Sequence, residues 1–219
     1  MGKTAIILGA SGLTGLILLN KLLDDKRYTA IKLFSRKRIE GLPSKVNQYI
    51  GNLFDLKSFK KDFTGDEVYC CIGTTAKKTP NKTIYKSIDY GIPVAAAKLS
   101  KKNGINTFLV VSALGANAKS NIFYNRTKGE MERDVLSEKI QKTYILQPSI
   151  IGGNRKEQRI GEKIGLVVFK LLQPLFVGNI KKYRITEAEH IAVAMIKLAN
   201  STSTTHIITS EKIKEIATK

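Results

Sequence analysis

The sequence predicts an α/β protein in which helices cover both faces of a doubly wound parallel sheet of about seven strands. Short β-rich runs alternate with longer amphipathic segments along the whole 219-residue chain. Strand–helix–strand alternation needs crossover connections, and these connections join parallel strands. Residues 6–8 and 108–111 are apolar throughout, as burial on both sides of a parallel sheet requires.

The same periodicity assigns each element in order. Strands are predicted at residues 4–8, 30–35, 46–50, 67–71, 107–112, 143–147 and 206–209. Helices are predicted at residues 12–23, 55–62, 89–103, 124–137, 160–172, 187–200 and 211–217. Since no repeat or linker interrupts the pattern, we expect one domain over residues 1–219. Two less regular stretches, 148–157 and 173–186, are where we expect a minimal C-terminal substrate cap.

Composition excludes several classes of protein. The 37 basic and 18 acidic residues give a net charge of +19, but they are interspersed along the chain. This is typical of a solvated surface, so we expect no specific nucleic-acid partner. The longest apolar runs, such as 164–169, are shorter than the roughly 20 residues of a membrane span. A strand-like run close to Met1 leaves no room for a signal peptide, so we expect a cytoplasmic protein.

Cysteine and histidine give little support for redox or metal chemistry. Cys70 and Cys71 are neighbours in a predicted strand, so their side chains point to opposite faces and form a poor disulfide pair. Buried structural thiols are the favoured interpretation, with a redox pair as the alternative. His190 and His206 lack companion ligands, so no metal site is expected.

A glycine-rich turn follows the first predicted strand. It has the spacing Gly-x-x-Gly-x-x-Gly and leads into an apolar helix. Such a turn brings a side-chain-free backbone and a helix N-terminus to a pyrophosphate, although a close-packed turn without a ligand has the same pattern. At the first turn of an alternating α/β chain, it favours a dinucleotide. The candidate cofactor-binding residues of this turn are Gly9, Ser11, Gly12, Leu13, Thr14 and Gly15.

The end of the second predicted strand indicates which dinucleotide binds. NAD-dependent enzymes usually place a carboxylate there, whereas residues 32–38 contain none and end with Arg36, Lys37 and Arg38. Charge-assisted hydrogen bonds from a cation to a 2′-phosphate contribute about 1.5–3 kcal/mol each. We therefore predict NADP(H), with Arg36 as the main phosphate partner and Lys37 beside it; a solvated basic turn is the alternative.

Other candidate cofactor contacts follow later strands. The carboxyl ends of the strands of a doubly wound sheet face the ligand crevice. Gly73, Thr74 and Thr75 follow the fourth strand and are predicted to lie along the cofactor, while Asn52 and Leu53 are candidates for the adenine edge. Ordinary loop chemistry is an equal alternative for each.

Tyr124 and Lys128 are predicted to lie on one face of a helix, because positions four apart differ by about 40° around its axis. An ammonium and a nicotinamide cation together could lower a phenol pKa from near 10 to about 7, which takes roughly 4 kcal/mol. The phenol could then donate a proton to a carbonyl oxygen that receives a hydride. Ser112, at a strand end, would hydrogen-bond the same oxygen. On spacing alone, a surface pair is the more common outcome.

Together these motifs resemble the short-chain dehydrogenase/reductase superfamily in its atypical, extended-like branch. More closely, the chain resembles the Tat-interacting-protein family of NADPH-binding oxidoreductases and its bacterial relatives. The resemblance covers nearly the whole chain and is carried by residues 9–15, 35–37, 71–75, 112–116, 123–124, 128–130 and 147–152.

The resemblance implies a seven-stranded Rossmann sheet, NADPH in its crevice and a reductase triad of Ser112, Tyr124 and Lys128. It also implies that the backbone around Pro148, Ser149, Ile150 and Ile151 borders the nicotinamide. Residues 155–159 resemble the loop of the bacterial members and have no assigned role.

Three functions are open at this point. The first is NADPH-dependent reduction of a small carbonyl compound. The second is a redox-sensing or regulatory protein that binds NADPH with little or no turnover. The third is a nucleotide-sugar epimerase or dehydratase, which ranks last because few residues follow the sixth strand. The predicted helix at 160–172 is apolar on more than one face, which favours core packing and leaves a homodimer surface as the alternative.

Overall fold

The structure, a computed structural model, describes residues 2–153 and 184–219. The strands are β1 (Lys3–Leu8), β2 (Tyr28–Ser35), β3 (Val46–Ile50), β4 (Glu67–Cys70), β5 (Thr107–Val111), β6 (Lys142–Gln147), β7 (Ile151–Gly152), β8 (Thr186–Glu187) and β9 (Ile207–Thr209). The α-helices are α1 (Leu13–Asp24), α2 (Lys82–Lys86), α3 (Ile92–Lys102), α4 (Phe123–Ser137), α5 (Ala188–Ala199) and α6 (Ser210–Thr218). A 3₁₀ helix spans Leu53–Phe59, and a π-helical turn spans Ser87–Gly91.

The predicted doubly wound sheet is confirmed. Seven parallel strands pair in the order β3-β2-β1-β4-β5-β6-β9. From β1, the strands β2 and β3 extend the sheet to one edge, and the strands β4, β5, β6 and β9 extend it to the other. The strand order therefore reverses between β1 and β4. Ligands of such sheets bind outside the carboxyl ends of the strands at this reversal. A separate two-stranded sheet, which the sequence does not predict, pairs β7 with β8.

The strands are apolar because both faces of the sheet are covered. β4 and β5 are buried along their whole length. On one face, α1, α5 and α6 pack over a cluster that includes Leu19, Met195 and Ile213. On the other face, the 3₁₀ helix, α3 and α4 pack over a cluster that includes Phe108 and Met131. Because side chains alternate along a strand, Cys70 packs in the cluster of Phe108 and Met131, whereas Cys71 packs against the cluster of Leu19 and Met195. Neither thiol forms a disulfide.

Two predicted helices differ from the structure. The segment predicted at 55–62 is instead the 3₁₀ helix, because Asn52 caps its start and Asp55 has non-helical angles of φ −115° and ψ 62°. The helix predicted at 89–103 starts earlier, at Lys82, where the Asn81 side chain accepts a hydrogen bond from the Ile84 N–H. A π-helical turn joins α2 to α3. The other described elements match the predictions to within about two residues.

Some expectations lie outside the described residues. These are the apolar helix at 160–172 with its homodimer alternative, residues 155–159, and most of the proposed cap. Within residues 2–153 and 184–219, none of the helices has the length and apolar composition that crossing a bilayer would take. The same residues contain no group of three or more His, Cys, Asp or Glu that could hold a metal ion.

Candidate functional site

The glycine turn connects β1 to α1 at the reversal of strand order. Gly9 has a φ of 87°, and a Cβ at this position would lie 2.8 Å from the Cys71 carbonyl. The Gly12 N–H donates to the Gly9 carbonyl over 3.0 Å, and a Cβ on Gly15 would overlap that same oxygen. These contacts fold the turn back over the end of β1 and start α1 directly above the sheet.

The N-terminus of α1 has the chemistry of an anion site. Gly12 is the N-cap without a side-chain hydrogen bond, and the first turn holds no acidic residue. The N–H groups of the first turn have no acceptor within the helix, and the helix dipole adds positive potential there. Ser11 and Gly12 are exposed, Leu13 is half-buried, and Thr14 and Gly15 are buried. The turn therefore fits a dinucleotide pyrophosphate that approaches its backbone.

A basic turn follows β2, one strand away from the glycine turn. Ser35 is buried, and its hydroxyl donates to the Lys37 carbonyl over 2.7 Å, which closes the turn. The Arg36 and Lys37 side chains are exposed. Both cationic side chains are thus exposed at the carboxyl end of β2, the strand that lies between β3 and β1.

The segment after β3 offers fewer side-chain contacts to an adenine than the sequence suggests. The Asn52 side chain accepts a hydrogen bond from the Phe54 N–H over 3.0 Å, so its oxygen caps the 3₁₀ helix. Leu53 is only 5% exposed and packs in the core. Any contact between Leu53 and an adenine must therefore come from its backbone. The ring of Phe54, which the sequence analysis overlooked, is 54% exposed beside them.

A buried ion pair lies at the end of β4. Lys128 Nζ is 2.8 Å from Asp89 Oδ1, and the two side chains are 5% and 1% exposed. The Thr74 N–H donates to Asp89 Oδ2 over 2.8 Å. A Cβ on Gly73 would lie 3.5 Å from Asp89 Oδ1 and 4.0 Å from Lys128 Nζ. The pair thus joins the segment after β4 to the π-helical turn and α4.

Tyr124 lies one helical turn before Lys128 and borders a cavity. Its side chain is 40% exposed. The cavity has a volume of about 400 Å³ and is lined by Tyr85, Phe123 and Tyr124 on one side, by Lys82, and by the segment 74–80. Thr74 and Thr79 hydroxyls in that segment hydrogen-bond each other over 2.9 Å.

The environment of Tyr124 does not lower its pKa. Burial of the phenol raises its pKa above the ordinary value of 10.0; Lys128 opposes this shift and Asp89 adds to it. The expectation that Lys128 and a nicotinamide cation together lower this pKa stays a prediction, since the described residues alone raise it. Burial is the largest cause of the rise, and Asp89, which pairs with Lys128 over 2.8 Å, adds to it.

Ser112 is held by a buried carboxyl group. Its hydroxyl donates to Glu132 Oε1, and Gln147 Nε2 donates to both Glu132 oxygens over 3.0 Å. Ser112 and Glu132 are 4% and 8% exposed. Burial raises the pKa of Glu132, against the hydrogen bonds from Ser112 and Gln147, which lower it. The Ser112 proton is thus directed at Glu132 and not at the cavity beside Tyr124.

Residues 148–151 are fixed by the second sheet. The Ser149 hydroxyl donates to the Arg184 carbonyl, and the Thr186 N–H donates to the Ile150 carbonyl over 3.0 Å. The Pro148 carbonyl accepts from the Leu114 N–H over 2.8 Å, and Ile150 is 50% exposed. Beyond β7, a Cβ on Gly153 would lie 3.0 Å from the Leu13 side chain. This segment therefore ends beside the glycine turn. A segment that borders the ligand crevice has to lie there.

The fold brings part of the predicted set together. Gly73, Thr74 and Lys128 meet at Asp89, and Tyr124 shares a cavity with Thr74 and Thr75. Ser112 and Lys128 are not among the described residues that line this cavity.

Three residues that the sequence analysis overlooked complete the arrangement: Asp89, Glu132 and Tyr85. The spacing of Lys128 and Glu132, four apart on one helix, was a usable signal. Asp89 offered none, because its partner is 39 positions away and the π-helical turn decides where it points.

Comparison with known proteins identifies the family. Residues 9–151 match the family model described as NAD(P)H-binding. The protein FMP52-1, mitochondrial, of Scheffersomyces stipitis is 33% identical over 189 residues, which cover 80% of this chain and 81% of that protein. The protein HTATIP2 of Rattus norvegicus is 31% identical over 164 residues, which cover 73% of this chain and 67% of that protein.

Solved structures confirm the fold. The UDP-glucose 4-epimerase of Thermotoga maritima, solved with UDP-glucose, has a TM-score of 0.71 at 14% identity and covers 98% of this chain and 81% of its own. The enzyme WbmG of Bordetella bronchiseptica, solved with NAD, has a TM-score of 0.71 at 12% identity and covers 99% and 77%. At these identities the likeness establishes a Rossmann-like fold alone.

The comparisons also correct one expectation and fix the class of cofactor. The cytoplasmic location expected from the sequence is wrong, because the FMP52 relatives of three yeasts are mitochondrial proteins by name. A nicotinamide dinucleotide is supported as the cofactor by the family match. The chain therefore belongs to the NAD(P)H-binding, oxidoreductase-like family, in the Tat-interacting-protein-like group that its sequence motifs indicate.

Proposed function

We propose that this protein is an NADPH-dependent oxidoreductase that reduces the carbonyl group of a small molecule, with Tyr124, Lys128 and Ser112 as its catalytic residues. The observation that carries this proposal is the position of Tyr124. It is 40% exposed on the wall of a cavity of about 400 Å³. Lys128, one turn further along α4, places its ammonium beside Gly73 at the end of β4.

The cofactor would be held by residues from several strand ends. The glycine turn, residues 9–15, would hold the pyrophosphate at the N-terminus of α1. Arg36 and Lys37 would contact the 2′-phosphate. The segments 73–75 and 148–151, with Tyr124 and Lys128, would border its nicotinamide half. The contact between Gly153 and Leu13 supports this placement, because it puts the segment after β6 beside the glycine turn.

The chemistry assigned to Tyr124 is donation of a proton. A bound nicotinamide cofactor supplies the hydride that reduces the carbonyl carbon. The Tyr124 phenol gives its proton to the carbonyl oxygen, and an alcohol results. The ordinary pKa of a phenol, 10.0, already keeps Tyr124 protonated at neutral pH, and burial shifts it further in the same direction. The protonated phenol is the form that reduction needs.

A substrate screen tests the role of Tyr124. We expect NADPH oxidation with at least one carbonyl compound in a panel of aldehydes and ketones, and its loss in Tyr124→Phe. Tyr144→Phe is the matched control, because Tyr144 donates its hydroxyl to the Ser203 carbonyl, away from the cavity. Undiminished turnover in Tyr124→Phe would refute the assigned role.

The preference for NADPH has its own test. One charge-assisted bond of about 1.5–3 kcal/mol corresponds to a roughly ten- to hundredfold preference for NADPH over NADH. We expect Arg36→Ala to remove most of this preference in calorimetric titrations. Arg38→Ala, which deletes a neighbouring exposed cation, is the control. Equal dissociation constants of the unaltered protein for NADPH and NADH would contradict the proposal.

One observation favours a second candidate, a protein that binds NADPH for regulation with little turnover. The Ser112 hydroxyl already donates to Glu132, so a substrate carbonyl would have to compete with a buried carboxyl group for it. This candidate predicts that NADPH raises the thermal midpoint while no carbonyl compound of the panel is reduced. Turnover that disappears in the Ser112→Ala or Tyr124→Phe variant would count against it.

A further inference from the structure

The cavity beside Tyr124 has walls that suit a flat apolar ligand. Three aromatic side chains form one side of it, with the Tyr85 and Phe123 ring centroids 5.6 Å apart and those of Tyr85 and Tyr124 6.5 Å apart. Pro80 also lines the cavity. A volume of about 400 Å³ is at the small end of the range of roughly 300–1,000 Å³ found for ligand pockets. One or two fused rings would fill it.

Two hydroxyl groups of the described lining are already paired with each other. The hydroxyl groups of Thr74 and Thr79 are bonded to each other over 2.9 Å. This pairing leaves fewer free hydroxyl groups for a ligand along the described lining of the cavity.

A cation lies at the mouth of the cavity. Lys82 begins α2, is exposed, and places Nζ 5.6 Å from the centroid of the Phe123 ring. Within residues 2–153 and 184–219, no carboxylate lies within ion-pair distance of Lys82, and the described lining of the cavity contains no acidic residue. Lys86, one turn further on, instead pairs with Glu130 over 2.7 Å. The cation at the mouth is thus available to an anion.

We propose that this cavity binds aromatic carboxylates, with the ring against Tyr85 and Phe123 and the carboxylate at Lys82. The proposal deepens the proposed function, because a substrate of this class would be an aromatic carbonyl compound that also carries a carboxylate. Its carbonyl group would then be at Tyr124 while its acid group stays at the solvent-exposed mouth.

A binding experiment tests the ligand class without any turnover. The probe is 2-naphthoate, titrated by calorimetry into the full chain with NADPH present, and the neutral comparison is 2-naphthalenemethanol. An exposed ion pair contributes up to about 1 kcal/mol, or roughly fivefold in affinity. We expect Lys82→Met to weaken naphthoate binding about fivefold and to leave binding of the alcohol unchanged. Lys214→Met, which removes an exposed lysine of α6, is the matched control.

A parallel kinetic series separates this proposal from the proposed function. The substrates are 4-carboxybenzaldehyde, benzaldehyde and acetaldehyde. We expect the highest kcat/KM for the first, with its advantage over benzaldehyde lost in Lys82→Met. Turnover of acetaldehyde at equal or higher kcat/KM, without naphthoate binding, would overturn the ligand class and leave the reductase standing. Naphthoate binding that depends on Lys82, without turnover of any carbonyl compound, would support the ligand class and refute the reductase.

Discussion

The buried pair of Lys128 and Asp89 gives the sharpest prediction about this site. Asp89→Asn keeps the shape of the side chain but removes the charge that faces Lys128 Nζ at 2.8 Å. The Lys128 side chain is 5% exposed, so its ammonium cannot move into solvent without disturbing α4. The variant therefore leaves a buried cation without its ion-pair partner.

The size of the effect follows from the geometry. At 2.8 Å and an effective dielectric constant of about 20, the attraction between the two charges is roughly 6 kcal/mol. Desolvation costs several kcal/mol per ion, so the intact pair contributes little net stability. Removal of one partner, however, costs about 3–5 kcal/mol. Asp89→Asn should lower the free energy of unfolding by this amount, and the double variant Asp89→Asn with Lys128→Met should be more stable than the single one.

Urea denaturation at neutral pH measures these differences. Glu130→Gln is the control, since it breaks the more exposed pair of Lys86 and Glu130 and should cost less than about 1 kcal/mol. The reasoning is refuted if Asp89→Asn costs no more than this control. It is equally refuted if the double variant is less stable than the single one.

Three further predictions concern stability. Burial raises the pKa of Glu132 above 4.5, so the contribution of the Glu132 carboxyl to folding stability is complete below pH 4.5 and is lost as the pH rises through the raised value. The stability of Glu132→Gln relative to the unaltered protein should therefore improve above pH 4.5. Denaturation series at several pH values measure this difference. Tyr69→Phe removes a buried 2.6 Å hydrogen bond to Glu67 and should cost about 1.5–3 kcal/mol in urea denaturation. A Cβ on Gly129 would overlap the backbone of Asn117 and Ala118, so Gly129→Ala should lower the thermal midpoint although alanine favours helices by about 0.5–1 kcal/mol.

Each of these has a comparison and an excluding result. A pH-independent difference between Glu132→Gln and the unaltered protein would mean that Glu132 titrates normally. Tyr90→Phe, whose half-buried hydroxyl bonds Asp134, should cost less than Tyr69→Phe; the reverse order would contradict the reasoning. Gly91→Ala should be neutral or stabilising, because its Cβ would meet the Lys86 carbonyl only at 3.9 Å. Equal thermal midpoints for the two glycine variants would contradict the prediction that a Cβ at position 129 overlaps the neighbouring backbone.

The elements that the sequence predicted well are those with local causes. The runs around Ile6 and Phe108 are apolar because they are buried on both sides, and this composition can be read without knowing their neighbours. The predictions at residues 55–62 and 89–103 fail because composition does not show which residue caps a helix; the caps are Asn52 and Asn81. Asn is a known cap, but its position relative to the helix start is decided by competing hydrogen bonds within one turn.

The candidate site also has a part that the sequence predicts and a part that only the structure shows. The glycine turn and the cations after β2 are contiguous in the chain, so their spacing alone predicted them. The surroundings of Tyr124 and Ser112 are not contiguous. The sequence placed Lys128 beside the phenol, but it showed neither the burial that raises the phenol pKa nor Asp89, which adds to that rise.

By itself, the sequence determined the alternation of strands and helices, the glycine turn before α1 and the helix that carries Tyr124 and Lys128, because each depends on side chains within a few positions of one another. The tertiary structure decided that Asp89 neutralises Lys128, that Glu132 holds the Ser112 hydroxyl, and that Tyr85, Phe123 and Lys82 surround one cavity. Those contacts join residues up to 42 positions apart, counted from Lys82 to Tyr124. Such distances are closed only when helices pack on a sheet, and no local pattern of residues records which side chains will then meet.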